Sequence, residues 1–128
     1  MIVLINSSSP ECKITFIDGD SRQDNIWQSD RTLAKGLLSH LSKLLIKNNK
    51  TWKDISAIGV FEGPGSFTGL RIGLTVMNTI ADAEAIPIVG CRGDKWQDEV
   101  LAKLKAGKNE KIVLPFYGRG ANITVARK

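Results

Sequence analysis

In this chain of 128 residues the side chains and turns best suited to chemistry fall in one stretch, Glu62-Gly63-Pro64-Gly65-Ser66-Phe67-Thr68-Gly69-Leu70-Arg71-Ile72-Gly73. Upstream, Ile55 to Phe61 is a short run rich in β-formers, and downstream the spacing turns helical, with Ser66 and Thr68 both suited to cap the helix. A glycine turn entering a helix presents unpaired N–H groups and the positive end of the dipole. Gly63, Gly65, Ser66 and Thr68 are therefore candidates for binding a phosphate or carboxylate, as in a nucleotide cofactor. The simpler reading of the same residues is a tight strand-to-helix connection without a ligand. No lysine follows the glycines as a P-loop needs, and Thr68 stands where the dinucleotide pattern that starts at Gly63 requires its last glycine.

The elements that position this turn follow from periodicity. Ile2 to Ile5 is an apolar run stopped by Asn6-Ser7-Ser8-Ser9-Pro10, which predicts a central strand entering a polar turn. Cys12, Ile14 and Phe16 alternate with polar neighbours, Asp18-Gly19-Asp20 signals a hairpin, and Arg22 to Trp27 supplies the returning strand. Asp30 is placed to cap a helix in which Leu33, Leu37, Leu41, Leu44 and Leu45 keep one stripe apolar to about Lys47. His40, the only histidine, lies off that stripe and is expected in solvent. Ile86 to Val89 predicts another short buried strand. Gly93 to Gly107 carries Trp96, Val100, Leu101 and Leu104 at helical spacing, and Lys111 to Phe116 and Ala121 to Ala126 read as two strands around Gly118-Arg119-Gly120.

Glycine inside a helix costs about 1 kcal/mol against alanine, so Gly69 and Gly73, four apart on one face, point to a close approach. At about 100° per residue, Ile72, Val76, Ile80 and Ala83 join Leu70, Leu74, Met77 and Ala81 in an apolar arc of about 200°. One sheet does not need so wide an arc. Either the helix is buried within its own domain or part of the arc is left open for another chain. The second outcome is the expected one, because a short chain has little else to cover it.

The segment Gly63 to Gly73, preceded by Ile55-Ser56-Ala57-Ile58-Gly59-Val60 and followed by Ile86-Pro87-Ile88-Val89-Gly90, resembles the TsaB (YeaZ) family. Its members are non-catalytic subunits of the bacterial machinery that places threonylcarbamoyl on an adenosine of tRNA. The resemblance extends over Met1 to about Gly90. It implies an α/β fold, a ribonuclease H-like lobe of the actin and sugar-kinase superfamily with a mixed sheet over residues 1–92. The second lobe would be reduced to a helix and β-hairpin, residues 93–128, packed on the first, making the chain a shortened relative. It also implies a scaffold that binds a TsaD-like catalytic subunit through its first two helices, with Leu37, Leu41, Leu44, Gly69, Gly73, Val76 and Ile80 at the contact. A homodimer through the same surface is expected when that partner is absent. The chain would need no cofactor of its own, ATP and metal belonging to the catalytic partner, and would meet tRNA indirectly.

Enzymes of that superfamily usually carry an aspartate after the first strand, where this chain has Asn6, which offers a carbonyl oxygen but no charge and cannot act as a general base. Independent ATP hydrolysis is therefore not expected. TsaD holds a metal through paired histidines on a helix, whereas the stretch set against it here, Arg31 to His40, ends in one. A ribonuclease H-like nuclease needs several carboxylates around two metals; Asp18 and Glu62 are available, but Asn6 is again the missing ligand. Hence neither a catalytic nor a metal residue is expected. Cys12 and Cys91 make no zinc or disulfide pattern and read as small buried hydrophobes in a reducing compartment. A net charge of +5 suits an acidic partner and also simple solubility. Met1 to Ile5 is too short for a membrane span or signal core, so a cytoplasmic protein without membrane contact is expected. The alternative to a scaffold is a free-standing nucleotide- or phosphate-binding domain that uses Gly63 to Thr68.

Overall fold

A computed structural model describes residues 1–29 and 32–116. Among these described residues five strands, β1 (Ile2–Asn6), β2 (Glu11–Asp18), β3 (Ser21–Gln28), β4 (Ala57–Phe61) and β5 (Ile88–Cys91), form one sheet in the order β3-β2-β1-β4-β5. The β1–β2 and β2–β3 pairs are antiparallel and the β1–β4 and β4–β5 pairs parallel, so a meander is continued by helix-connected strands. This is the mixed sheet of a ribonuclease H-like lobe.

The sheet is covered by the helices α1 (Leu33–Lys47), α2 (Phe67–Glu84) and α3 (Trp96–Lys105). Which face each covers is set by strand alternation, because successive side chains point to opposite sides. Val3, Ile5, Cys12, Ile14, Phe16, Ile58 and Val60 join the leucines of α1 and Leu74, Met77 and Ile80 of α2 in the larger core. The intervening Leu4, with Val89 and Cys91, packs on Trp96 and Val100 of α3 on the other side. At Gly59 α3 comes close to the sheet, since an added Cβ would meet Val100 and Leu4.

Several boundaries differ from the sequence expectations for identifiable reasons. α1 begins after Thr32; the expected cap, Asp30, lies outside the described residues. β4 starts at Ala57 rather than Ile55, because a 3-10 turn at Trp52–Asp54, closed by a capping box between Thr51 and Asp54, delivers Ile55 to the core before pairing begins. β5 starts at Ile88, two residues late, since Pro87 lacks an N–H and contributes only its carbonyl, which accepts from Ile58 at 3.0 Å. His40 is half-buried and stacked on Trp27 instead of standing in solvent.

The strand expected at Lys111 to Phe116 is absent. Val113 gives both backbone groups to the Asn78 side chain, Phe116 donates to the Glu62 carbonyl, and Pro115 has no N–H. The other half of the expected hairpin, Ala121 to Ala126, and its turn lie outside the described residues.

Candidate functional site

The turn from β4 to α2 is built largely by its contact with the end of β1. Asn6 folds the β1–β2 connection, its Oδ1 accepting the Ser8 N–H at 2.9 Å and the Ser8 hydroxyl at 2.6 Å. Ser8 then accepts the Ser66 N–H at 2.8 Å, and the Ser7 hydroxyl donates to the Gly69 carbonyl at 2.9 Å. A Cβ at Gly69 would strike the Ser7 carbonyl, and one at Gly73 the Ser7 side chain. The four-residue glycine spacing is thus explained from within the chain: Ser7 occupies the notch.

Gly63, Gly65, Ser66 and Thr68 are brought onto one turn, as their spacing requires, and the last three are exposed. Gly63 has φ +127°, a conformation that favours glycine, and the Phe116 carbonyl fills the place of its missing Cβ. Ser66 is the N-cap, its hydroxyl accepting the Gly69 N–H at 3.3 Å. Part of the turn's donor capacity is therefore spent inside the molecule. A groove of about 290 Å³ beside it is lined by Ser9, Ser29, Leu33, Ser66, Thr68 and Ile72.

Charged groups gather where β4 and β5 end. Lys103 donates to the Gly90 carbonyl at 2.6 Å and pairs with Glu110 at 3.0 Å, while Glu110 also accepts the Gly90 N–H at 2.8 Å. Burial and the neighbouring Glu110 raise the Glu62 carboxyl above its ordinary range, against the pull of Lys103 and Arg92. Asp18, the other acid weighed for nuclease chemistry, is at the opposite end of the sheet. It follows Ile17, which pairs with Ile2 at the start of β1, whereas Glu62 follows the last residue of β4, a strand parallel to β1. Asp18 pairs there with Lys50 at 2.9 Å. Among the described residues no three His, Cys, Asp or Glu side chains come together as a metal site. Cys12 and Cys91 are both buried thiols, and burial pushes Cys12 up to about 12.

α1 and α2 lie side by side on the sheet, and the residues expected at a partner contact divide by depth. Leu37, Leu41, Leu44, Gly73 and Ile80 are buried in the chain's own core; Gly69 and Val76 are half-buried. The wide apolar arc of α2 is largely consumed by the sheet and α1, with Val113 in the same core. What the two helices present outward is a groove of about 360 Å³ lined by Ala34, Thr68, Arg71, Ile72, Thr75 and Val76. Leu38 on α1 is 53% exposed, and on α2 the Arg71 guanidinium lies 5.2 Å from the centre of the Phe67 ring. Sequence reasoning missed Ser7 and Asn78, which organise the turn and the approach of Val113. Ser7 is one serine in the polar run Asn6 to Ser9, and Asn78 stands beside Thr79 on α2, so no local signal marks either.

Among the described residues no helix is long and apolar enough to cross a membrane. A family model described as TsaD: tRNA N6-adenosine threonylcarbamoyltransferase matches residues 28–92, half of the chain. The chain is similar to the tRNA threonylcarbamoyladenosine biosynthesis protein TsaB of Escherichia coli, 25% identical over 89 residues, covering 70% of this chain and 38% of that protein. Its similarity to the tRNA N6-adenosine threonylcarbamoyltransferase of Shouchella clausii is 31% identity over 68 residues, 51% of this chain and 20% of that one. In three dimensions it resembles YeaZ from Pseudomonas aeruginosa, with a TM-score of 0.65 at 23% identity over 71% of this chain and 44% of that one. The chain thus spans about four tenths of the length of the TsaB and YeaZ proteins it matches. The fold, the glycine turn and these matches agree: the chain belongs to the tRNA N6-adenosine threonylcarbamoyltransferase family, on its TsaB (YeaZ) branch.

Proposed function

We propose that this chain serves tRNA threonylcarbamoyladenosine formation as a non-catalytic docking subunit that receives a TsaD-like transferase on the outward face of α1 and α2. The observation that carries this reading is the surface itself. Two packed helices form a groove lined by Ala34 of α1 and by Arg71, Ile72, Thr75 and Val76 of α2, and Leu38, one helical turn beyond Ala34, is half exposed; a paired-helix face of this kind suits a second pair of helices. The names of the Escherichia coli and Haemophilus influenzae relatives support the pathway.

In this reading ATP and metal belong to the transferase, and tRNA reaches the chain only through it. Without the transferase the same face closes on a second copy. The work is done in the cytoplasm. Sedimentation of the chain alone and mixed with a TsaD-like transferase tests the proposal. A heavier species in the mixture is expected, together with a self-associated form alone. Sedimentation as a monomer in both samples rejects it.

A further inference from the structure

Residues 109–116 leave α3 and run along the outer edge of β5. The Asn109 amide oxygen accepts the Ile88 N–H at 3.1 Å, the Glu110 N–H donates to the Ile88 carbonyl at 2.9 Å, and the Glu110 carboxylate accepts from Gly90. Asn78, reaching from α2, accepts the Val113 N–H and donates to the Val113 carbonyl, each at 2.9 Å, so its amide imitates a neighbouring strand. Farther along, the Phe116 N–H donates to the Glu62 carbonyl at 2.7 Å and the Arg92 guanidinium stands 4.0 Å from the centre of the Phe116 ring. Little apolar area secures the segment. Val113 is 2% exposed, but its neighbours Ile112 and Leu114 are 66% and 72% exposed. A stretch tied down by directional polar bonds with one apolar anchor has few contacts to lose, and such stretches open at far lower cost than core strands.

We propose that residues 109–116 form a strap that opens as a unit from the ends of β4 and β5, with Asn78 as its latch and the five-stranded sheet left intact. Opening bares the Glu62 carboxylate and Gly63, which the closed strap covers with the Phe116 carbonyl. The groups around Glu62 make the closure sensitive to pH. Glu62 is faced by Glu110 of the strap, Lys103 of α3 and Arg92 after β5; burial and Glu110 outweigh the two cations and raise its carboxyl. The closed strap therefore favours protonated Glu62, and raising the pH through that titration favours opening. Glu110 acts at the other limit, because its carboxyl is lowered in the closed form and its protonation in acid loosens the pairing with Lys103.

Amide hydrogen exchange of the full chain, expressed as protection relative to intrinsic rates, tests the strap. Asn78→Ala is expected to lower protection at Gly90, Val113 and Phe116 by on the order of tenfold or more, with β1 and α1 unchanged. Val113→Ala, which trims the one apolar anchor and leaves the Asn78 side chain in place, is expected to do the same. Protection that is unchanged in both variants, or lost equally in β1 and α1, overturns the proposal. In Glu62→Gln the strap's protection is expected to stop falling as pH is raised; a slope identical to wild type removes Glu62 from the device.

Discussion

The imidazole of His40 lies flat on the indole of Trp27, ring centroids 4.5 Å apart and planes 12° from parallel. Trp27 belongs to the edge strand β3 and His40 to α1, so the stack ties the edge of the sheet to the helical layer. Burial, and then the charge of Lys43, lower the His40 pKa. The unfolded chain therefore takes up the proton first. Stability contributed by the neutral ring is complete above the ordinary histidine pKa of about 6.5 and is lost as pH falls through the lowered folded value. Urea unfolding at pH steps on either side of that value is expected to show a falling midpoint in acid. His40→Phe keeps a ring on Trp27 and is expected to remove this part of the slope.

Gly73 is predicted to tolerate no side chain while Ser7 is present. An added Cβ would collide with the Ser7 side chain, which is buried and committed to the Gly69 carbonyl. Overpacking costs about 1–3 kcal/mol, and the better helix propensity of alanine returns up to about 1 kcal/mol. Gly73→Ala should then destabilise by about 1–2 kcal/mol in denaturant unfolding. The informative partner is Ser7→Gly, which removes both atoms in the way. In that background Gly73→Ala is expected to be neutral or stabilising, a coupling that a double-mutant cycle measures directly.

These contacts show where a sequence stops being legible. The strands of the meander and the leucine face of α1 could be read because their signals are local, an alternation of two or a stripe of about 3.6. The glycine pair could be read as a close approach but not assigned its partner, since nothing near Gly69 names Ser7, which reaches it across 62 positions. Residues 111–116 have strand-like composition, but their bonds were already taken by Asn78, 35 positions from Val113 in sequence. At the candidate anion turn, the need for glycine at Gly63 was visible; the Phe116 carbonyl lying over it was not. His40 was misplaced for the same reason, because helical phase does not register an indole arriving from β3.

Glu110 is predicted to be a source of acid sensitivity. Burial pushes its carboxyl up, but the Gly90 N–H and Lys103 outweigh that and hold it below its ordinary 4.5. A lowered folded pKa contributes stability above the unfolded value that is lost as pH falls through the folded one. The pair is partly solvated, with side-chain exposures of 30% for Lys103 and 23% for Glu110. Glu110→Gln should therefore cost about 1–2 kcal/mol at neutral pH, less than a fully buried pair. Its unfolding midpoint should also fall less than that of wild type on acidification. Equal acid slopes in the two proteins would assign the sensitivity to other carboxylates.

Leu38 separates the docking role of the α1/α2 face from its role in folding. Its side chain is half exposed and absent from the core, whereas Leu37 and Leu41 beside it are buried. A charge at Leu38 meets water in the monomer, so at concentrations too low for self-association Leu38→Glu should change unfolding free energy by no more than about 0.5 kcal/mol. Against a docked helix pair the same carboxylate would be desolvated without a partner, and association with a TsaD-like transferase should weaken by on the order of tenfold or more. Leu37→Glu is the contrasting variant, expected to unfold the chain by placing a charge in its own core. If Leu38→Glu folds normally and binds the transferase as wild type does, the docking surface lies elsewhere on the molecule.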